Sequence, residues 1–599
     1  MNTTFSFMLE AGSFGFGNVL SLLCGLALFL YGMDVMGDSL KKSAGSSLKA
    51  ILGKMTSNPV SGFLLGLVVT AVIQSSSATT VMVVGFVNSG TMTLLQAVGV
   101  IIGANVGTAV TAWLTALNGL GEMDSATAGI LSALKPDSWM PILAVIGICL
   151  VMFSKRGKKK DVGAILLGFA VLMVGMSMMS DAVSSLKDND DFKNILLMFE
   201  NPILGVLAGL VLTAIVQSSS ASVGILQSLT VTGAITYGAA IPIVMGQNIG
   251  TCVTAMLSSI GANKNGKRAA LVHLYFNIIG VVLVLALYYI LDAIFKFGLN
   301  TLAIDMWGVA LVHTVFKLIC VALIAPFYKL LAKLAVLTIK DSKDDRETTN
   351  LLDERLLETP AVAVERATQV AYTMAELSGK ALTDAISLFT NYDPKVADAV
   401  RDLEAKVDTF EDSLGAYLVK VSACQLDQRD SEQVTKLLHI IGDYERISDH
   451  AVNIVESAEE IREKKISFSS EAQRELEVLR AAVLEIVEIT RDAFINNDLA
   501  RAQDVEPLEQ VVDELRDKIR LNHILRLQKS ECTIEHGFVL SDLLTNFERV
   551  ADHCSNIGGC VIEISAFDTL EMHKYLSEIK KGSENFEQKY QVYAAKYSI

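Results

Sequence analysis

Two hydrophobic patterns divide the chain. From about Val19 to Lys333 apolar residues run in long, nearly unbroken stretches, with charges confined to short connecting pieces. Beyond Asp341 apolar residues instead recur at three- and four-residue spacing among charged ones. The first pattern predicts membrane-spanning helices and the second predicts amphipathic helices packed in a soluble bundle. The opening stretch, Val19 to Met36, has no basic residues before it and no small-residue cleavage site after it, so it reads as a retained helix rather than a signal peptide. Between Asn58 and Ser89 lie about thirty residues, too many for one straight crossing of a ~30 Å hydrocarbon layer and too few for two. That length predicts a re-entrant helical hairpin broken at Gln74 to Ser77.

Polar residues interrupt the apolar pattern twice in the same way. "NPVSGFLLGLVVTAVIQSSSATT" from Asn58 aligns with "NPILGVLAGLVLTAIVQSSSASV" from Asn201, and Gln74 and Gln217 stand 143 positions apart. The same offset superposes "GANVGTAVT" (Gly103 to Thr111) on "GQNIGTCVT" (Gly246 to Thr254). Basic loop residues orient the two units, because Lys and Arg in short loops gather on the cytoplasmic side. Lys41, Lys42, Lys49, Lys54 and the run "SKRGKKK" (Ser154 to Lys160) fall inside, as do "ANKNGKR" (Ala262 to Arg268), Lys329 and Lys333. The loop "NGLGEMDSATAG" and the stretch "SSLKDNDDFKN" are poor in basic residues and fall outside. The repeats therefore run in opposite directions across the membrane, the arrangement that secondary transporters use to build a site near the midplane.

The broken segments supply chemistry as well as architecture. A helix break at membrane depth leaves backbone groups that only protein, ligand or water can satisfy. A helix resuming at Ala78 or Ala221 presents amides and a positive dipole end, a seat for an anion. Gln74 and Gln217 offer donor and acceptor, and the serines offer hydroxyls to an oxyanion or to a hard cation. In the tails, Gly103, Gly107, Gly246 and Gly250 permit unwinding or close backbone approach, while Asn105, Thr108, Asn248 and Thr251 bring side-chain oxygens. The four motifs contain no Lys or Arg, so a bound anion needs co-bound cations, which points to cation-coupled anion transport. His273, Asn277 and His313 are read as hydrogen-bond partners between helices.

These paired QSSSA and GxNxGT motifs resemble the type II sodium/phosphate cotransporter family over residues 15–335. The resemblance implies a sodium-driven carrier of inorganic phosphate, in which Gln74, Ser75, Ser76 and Ser77 with Gln217, Ser218, Ser219 and Ser220 form the substrate and sodium sites. Thr79 and Ser222, at matching positions, join the candidate set and mark a difference between the halves. A phosphate exporter and a phosphate-sensing receptor without net transport are the competing functions.

The polar half repeats too. "GDYERISDHAVNI" (Gly442 to Ile454) matches "TNFERVADHCSNI" (Thr545 to Ile557), and "LEAKVDTFEDSL" (Leu403 to Leu414) matches "LEQVVDELRDKI" (Leu508 to Ile519). Four-residue spacing places Glu445, Asp449 and Asn453 on one helical face, and Glu548, Asp552 and Asn556 on another. The preceding helices do the same with Glu404, Asp408 and Asp412, and with Glu509, Asp513 and Asp517. Carboxylate faces meeting in a bundle repel unless cations lie between them, and oxygen donors suit Mg, Mn or Fe. The competing reading pairs each carboxylate with a neighbouring Arg or Lys on a solvated surface. Arg446 and Arg549 are expected to point away from the acidic face. With "TPAVAVERATQVAYTM" (Thr359 to Met374), these motifs resemble the PhoU family over residues 350–590. That implies two three-helix repeats, carboxylate-bound metal, control of phosphate transport, and pairing with a second copy or another partner.

Composition narrows the classes. A net charge of −15, lying mainly in the second half, argues against nucleic acid. The eight cysteines show no CxxC or zinc spacing and read as reduced packing residues. No Ser-His-Asp arrangement, Walker loop or HExxH is present, so neither an enzyme nor an ATP-driven pump is expected. The expectation is an all-α, polytopic protein of the cytoplasmic membrane with two inverted-topology repeats containing re-entrant helical hairpins, followed by a soluble helical bundle. Its parts are a transport domain over 1–338 (repeats at about 58–117 and 201–260), a linker at 339–350 and a cytosolic domain over 351–599.

Overall fold

The computed structural model describes residues 15–54, 58–122, 136–154, 157–187, 189–340, 352–566 and 584–599. The charged stretch 341–350, loop residues 123–129 and the side chains of Lys49 and Lys54 lie outside the described residues. The chain divides at Val362 and Ala363 into two compact units, Gln425–Asp427 excepted. No β-strand occurs among the described residues.

In the first unit, α1 (Phe16–Lys54) packs along α7 (Gly157–Ser184), and α6 (Pro136–Phe153) packs on α7 as well. The first repeat comprises α2 (Pro59–Ile73), α3 (Ser76–Asn88), α4 (Leu94–Gly107) and α5 (Ala109–Ala116). After α8 (Asp190–Leu197) the same order returns as α9 (Pro202–Val216), α10 (Ser219–Thr230), α11 (Tyr237–Gly250) and α12 (Cys252–Ser258). Then follow α13 (Lys264–Phe295), α14 (Met306–Ile324) and α15 (Tyr328–Thr338). Among the described residues six helical stretches are long and apolar enough to cross a membrane, Leu94–Leu120 and Tyr237–Ser258 included. α2 and α3, at 15 and 13 residues, are each too short to cross alone, as a re-entrant hairpin requires.

The NP dipeptides start the hairpins. Asn58 Oδ1 accepts from Val60 N at 3.0 Å and Asn201 Oδ1 from Ile203 N at 3.0 Å. Pro59 and Pro202, which have no N–H to satisfy, occupy the first helical position. The tail glycines serve close packing. Gly103 of α4 lies against the Phe63 carbonyl of α2, Gly246 of α11 against the Val206 carbonyl of α9, and a Cβ at either would collide with that backbone. Each hairpin's first arm is thereby locked to the helix carrying its own tail motif.

The second unit is a bundle of α16 (Pro360–Ser387), α17 (Pro394–Ser422), α18 (Gln428–Glu463), α19 (Ser470–Asn496), α20 (Leu499–Gln528), α21 (Ile534–Ala566) and α22 (Glu584–Lys596). α18 and α21, which carry the two ERxxDHxxN motifs, pack on each other. All eight cysteines are free thiols, and Cys252, Cys320, Cys554 and Cys560 are buried.

Candidate functional site

Both QSSS motifs line one open cavity of about 630 Å³. Gln74 to Ser77 and Gln217 to Ser220 all face it, with Asp34, Asp38 and Lys41 of α1 and Glu358 completing much of the polar wall. The two breaks share one geometry. Gln74 ends α2 with φ 60° and Gln217 ends α9 with φ 56°, both in the left-handed region, where a non-glycine residue costs about 1–2 kcal/mol. Ser75 then caps the next helix, its Oγ accepting from Ala78 N at 3.1 Å, and Ser218 does the same for Ala221 N at 3.2 Å. The helices resume at Ser76 and Ser219, two residues earlier than the sequence suggested. The first-turn amides of Ser76, Ser77, Ser219 and Ser220 have no intrahelical acceptor, and these residues border the cavity.

The halves are alike but not equal. Gln74 is buried, its Oε1 accepting from Thr111 Oγ1 at 2.7 Å and its amide donating to Ala71 O, whereas Gln217 is exposed in the wall. Thr79 Oγ1 bonds Ser75 O at 3.0 Å and lies 3.0 Å from Thr70 Oγ1. Ser222 Oγ bonds Ser218 O at 3.0 Å, and no partner reaches Thr213 Oγ1, the counterpart of Thr70. Thr79 and Ser222 are therefore second-row supports of the break rather than part of the cavity wall.

The tail residues also stand behind the wall. Asn105 Nδ2 donates to Ile101 O at 3.2 Å, Thr108 Oγ1 to Asn105 O at 2.8 Å and Thr251 Oγ1 to Gln247 O at 3.0 Å, all within their own helices. Asn248 Nδ2 donates to Asn277 Oδ1, so Asn277 is the interhelical partner its position suggested. His273 and His313 are not: both ring nitrogens of His273, and Nδ1 of His313, are buried without a hydrogen-bond partner. The sequence reading missed two groups. Gln227 of α10 ties the repeats together, its Nε2 donating to Ala112 O at 3.0 Å and its Oε1 accepting from Thr115 Oγ1 at 2.5 Å. Lys317 of α14, buried, donates its ammonium to Thr108 Oγ1. Its signal was the single lysine in the apolar run "VHTVFKLICVALI", since an ionisable residue in a spanning helix points to function.

The segment after the membrane helices forms a strap on the first hairpin. Asp353 Oδ2 accepts from Asn88 Nδ2 at 2.5 Å at the end of α3. Asp353 also pairs with Arg355 at 2.8 Å, and Arg355 reaches the carbonyls of Ser258 at 2.6 Å, at the end of α12, and of Ile260 at 3.1 Å just after it. Leu356, fully buried, lies against Gly85.

In the second unit the two acidic faces differ. Arg516 of α20 pairs with Glu548, with Asp517 at 2.9 Å and with Asp513 at 3.7 Å, and Asp552 takes Arg549 at 3.4 Å. Glu509 is buried. On the other face, Glu411 occupies the position matching Arg516, beside Glu404, Asp408, Asp412, Glu445 and Asp449. Burial, and then the Asp449 carboxylate, push Glu445 up to about 7; burial and the same neighbour also raise Glu404. Arg446 lies 3.5 Å from Glu445, so Arg446 and Arg549 do not point away from the carboxylates as expected. Among the described residues no three His, Cys, Asp or Glu side chains are gathered as a metal site. The second face does not fit a metal because the Arg516 guanidinium holds its carboxylates. His and Asn of the motifs join the repeats instead: His553 Nδ1 meets Asp443 Oδ1 at 2.8 Å, His450 Nδ1 meets Asn546 Oδ1 at 2.9 Å, and Asn556 and Asn453 reach the same two residues.

Comparison with known proteins places this geometry. The Na+/Pi-cotransporter family matches residues 28–181 and 171–308, and the PhoU domain matches 372–458 and 476–561. A Salmonella typhimurium protein named for inorganic phosphate export, YjbB, is 24% identical over 557 residues, covering 91% of this chain and 97% of that one. Bacillus subtilis YqeW is 32% identical over 263 residues, 43% of this chain and 79% of its own. Human sodium-dependent phosphate transport protein 2B is 29% identical over 138 residues, 22% of this chain and 20% of that protein. The duplicated, cavity-lining breaks and these relationships agree: the chain belongs to the Na+/Pi-cotransporter family and carries PhoU domains after its membrane unit.

Proposed function

We propose that the protein carries inorganic phosphate across the cytoplasmic membrane together with sodium, and that the cavity between the two QSSS breaks is where both bind. The observation that supports this most is the meeting of both breaks in one open, polar-walled cavity within an otherwise apolar unit. The serine amides and hydroxyls offer an oxyanion several donors, and the helix starts add positive potential. Asp34, Asp38 and the serine oxygens offer sodium a hard, oxygen-rich surround. Basic residues on the connections argue that the PhoU unit is cytoplasmic, where it would regulate the carrier. There the carboxylates Glu404, Asp408, Glu445 and Asp449 would engage a divalent cation, whereas Arg516 serves the matching face. Pairing with a second copy or a cytosolic partner through this unit also belongs to the proposal.

Net export is a second reading of the same site, favoured by the name of a relative that aligns with both units. The test is uptake of radiolabelled phosphate into proteoliposomes under an inward sodium gradient, against an equal potassium gradient. Sodium-dependent accumulation is expected, and its loss in both Gln74→Ala and Gln217→Ala with insertion intact. Equal flux in the two salts, or normal flux in both variants, overturns the reading.

A further inference from the structure

The four repeated motifs contain no basic residue, and Lys41 in the cavity wall is paired with Asp38 at 3.0 Å, yet a second basic side chain reaches one of the motifs from elsewhere in the fold. Lys317 is only 3% exposed on α14, and its ammonium donates to Thr108 Oγ1 of the GANVGT tail. Among the described residues it forms no ion pair with a carboxylate. Its electrostatic neighbours are His273, His313 and Cys320, none of them an acid that offsets an ammonium. A cation in a spanning segment without a carboxylate is costly, and such a residue persists where a mobile charge makes use of it.

The route from this ammonium to the cavity is short. Thr108 begins the turn that leads into α5, and three residues on, Thr111 Oγ1 holds Gln74 Oε1 at 2.7 Å. One helical turn, about 5 Å along the axis, separates the two threonines. In the second repeat the corresponding place is neutral: Thr251 bonds its own helix at 3.0 Å and Asn248 meets the amide of Asn277. Behind their tails the two halves of the site thus differ by one basic side chain, and it falls behind the half whose glutamine is buried.

We propose that Lys317 is a tethered cation that offsets part of the charge of a phosphate bound at the QSSS breaks, taking on the first repeat's side the place of one diffusible coupling ion. This rests on the sodium and phosphate reading above and adds a specificity-determining residue to it. A fixed positive charge attracts an anion and repels sodium in the same cavity, and in a poorly screened interior both effects persist. Removing it must therefore move the two affinities in opposite directions. Loss of packing would weaken both, and a bystander lysine would alter neither.

The experiment is calorimetric titration of the purified full-length protein in detergent, with phosphate at saturating sodium and with sodium in the absence of phosphate. Lys317→Gln is expected to weaken phosphate binding about tenfold or more while tightening sodium binding, whereas Lys317→Arg holds both within about threefold. Lys317→Met, of similar length and without charge, is expected to reproduce the opposed shifts. Weakening of both ions, or no change in either, overturns the proposal. Wild-type protein that binds neither ion overturns the carrier reading, and this proposal with it.

Discussion

A glutamine at φ near +60° in each break is unusual enough to ask what fixes it there. Glycine would adopt that backbone without strain, so the side chain must be wanted. For Gln74 the fixing contact is the Thr111 hydroxyl at 2.7 Å, which orients the amide in the cavity wall. Thr111→Val keeps the shape and removes the donor, leaving a buried carbonyl oxygen unpaired. The expected outcome is an unaltered amount of inserted protein with sodium-driven phosphate uptake reduced about tenfold, measured in proteoliposomes as initial rate against phosphate concentration. Uptake at the wild-type rate would mean that Gln74 holds its place without Thr111. Gln217, exposed and without this restraint, marks where the equivalent change in the second repeat has no target.

At the scale of elements, both hairpins are held through their first arms by glycine contacts, and the first is also strapped at the end of its second arm. Glycine contacts lock α2 to α4 and α9 to α11, while α3, the second arm of the first hairpin, is buried along most of its length and ends at Asn88. The strap from Asp353 to Leu356 holds that end, and Asn88 also accepts from Asn263 N at 2.6 Å. Arg355→Ala removes the ion pair with Asp353 and both carbonyl contacts at the end of α12. Faster hydrogen exchange, about tenfold or more, is expected in α3 and around Ser258 to Asn263, with α4 unchanged. Unchanged exchange in α3 would show that the strap restrains nothing. The hairpin, its break and the pairing of the two motifs were legible in the sequence because duplication repeats a rare interruption of an apolar run. The strap was not, because its few residues follow a charged stretch and carry no period. Nor was the role of the tail glycines settled, since close approach and unwinding ask for the same residue. Lys317 and Gln227 were hidden for another reason: neither belongs to a motif, and only the packing of α14 and α10 brings them to one.

The molecule is duplicated twice, once in each unit, and each duplication departs from symmetry by a basic residue. In the membrane unit Lys317 stands behind one tail and the neutral Asn277 beside the other. In the PhoU unit Arg516 neutralises one acidic face, while Glu411 adds to the other. The face that has Glu411 in place of Arg516 has a thermodynamic consequence. Glu445 titrates at about 7 in the folded chain, raised from 4.5 by burial and by Asp449. The folded state therefore holds a proton that the unfolded state releases at lower pH, and stability falls as pH rises from about 4.5 through about 7. Glu445→Gln is neutral throughout, so this part of the decline should vanish. In the full-length protein at pH 8, calorimetry is expected to show the PhoU transition about 3 °C or more higher in the variant, and the two proteins alike near pH 4. A divalent cation that occupies this face should raise the wild-type transition at pH 8 and have less effect on the variant, because one of its ligands is gone. Superimposable pH profiles would show that the carboxylates on this face separate on their own and that no charge there is left to compensate.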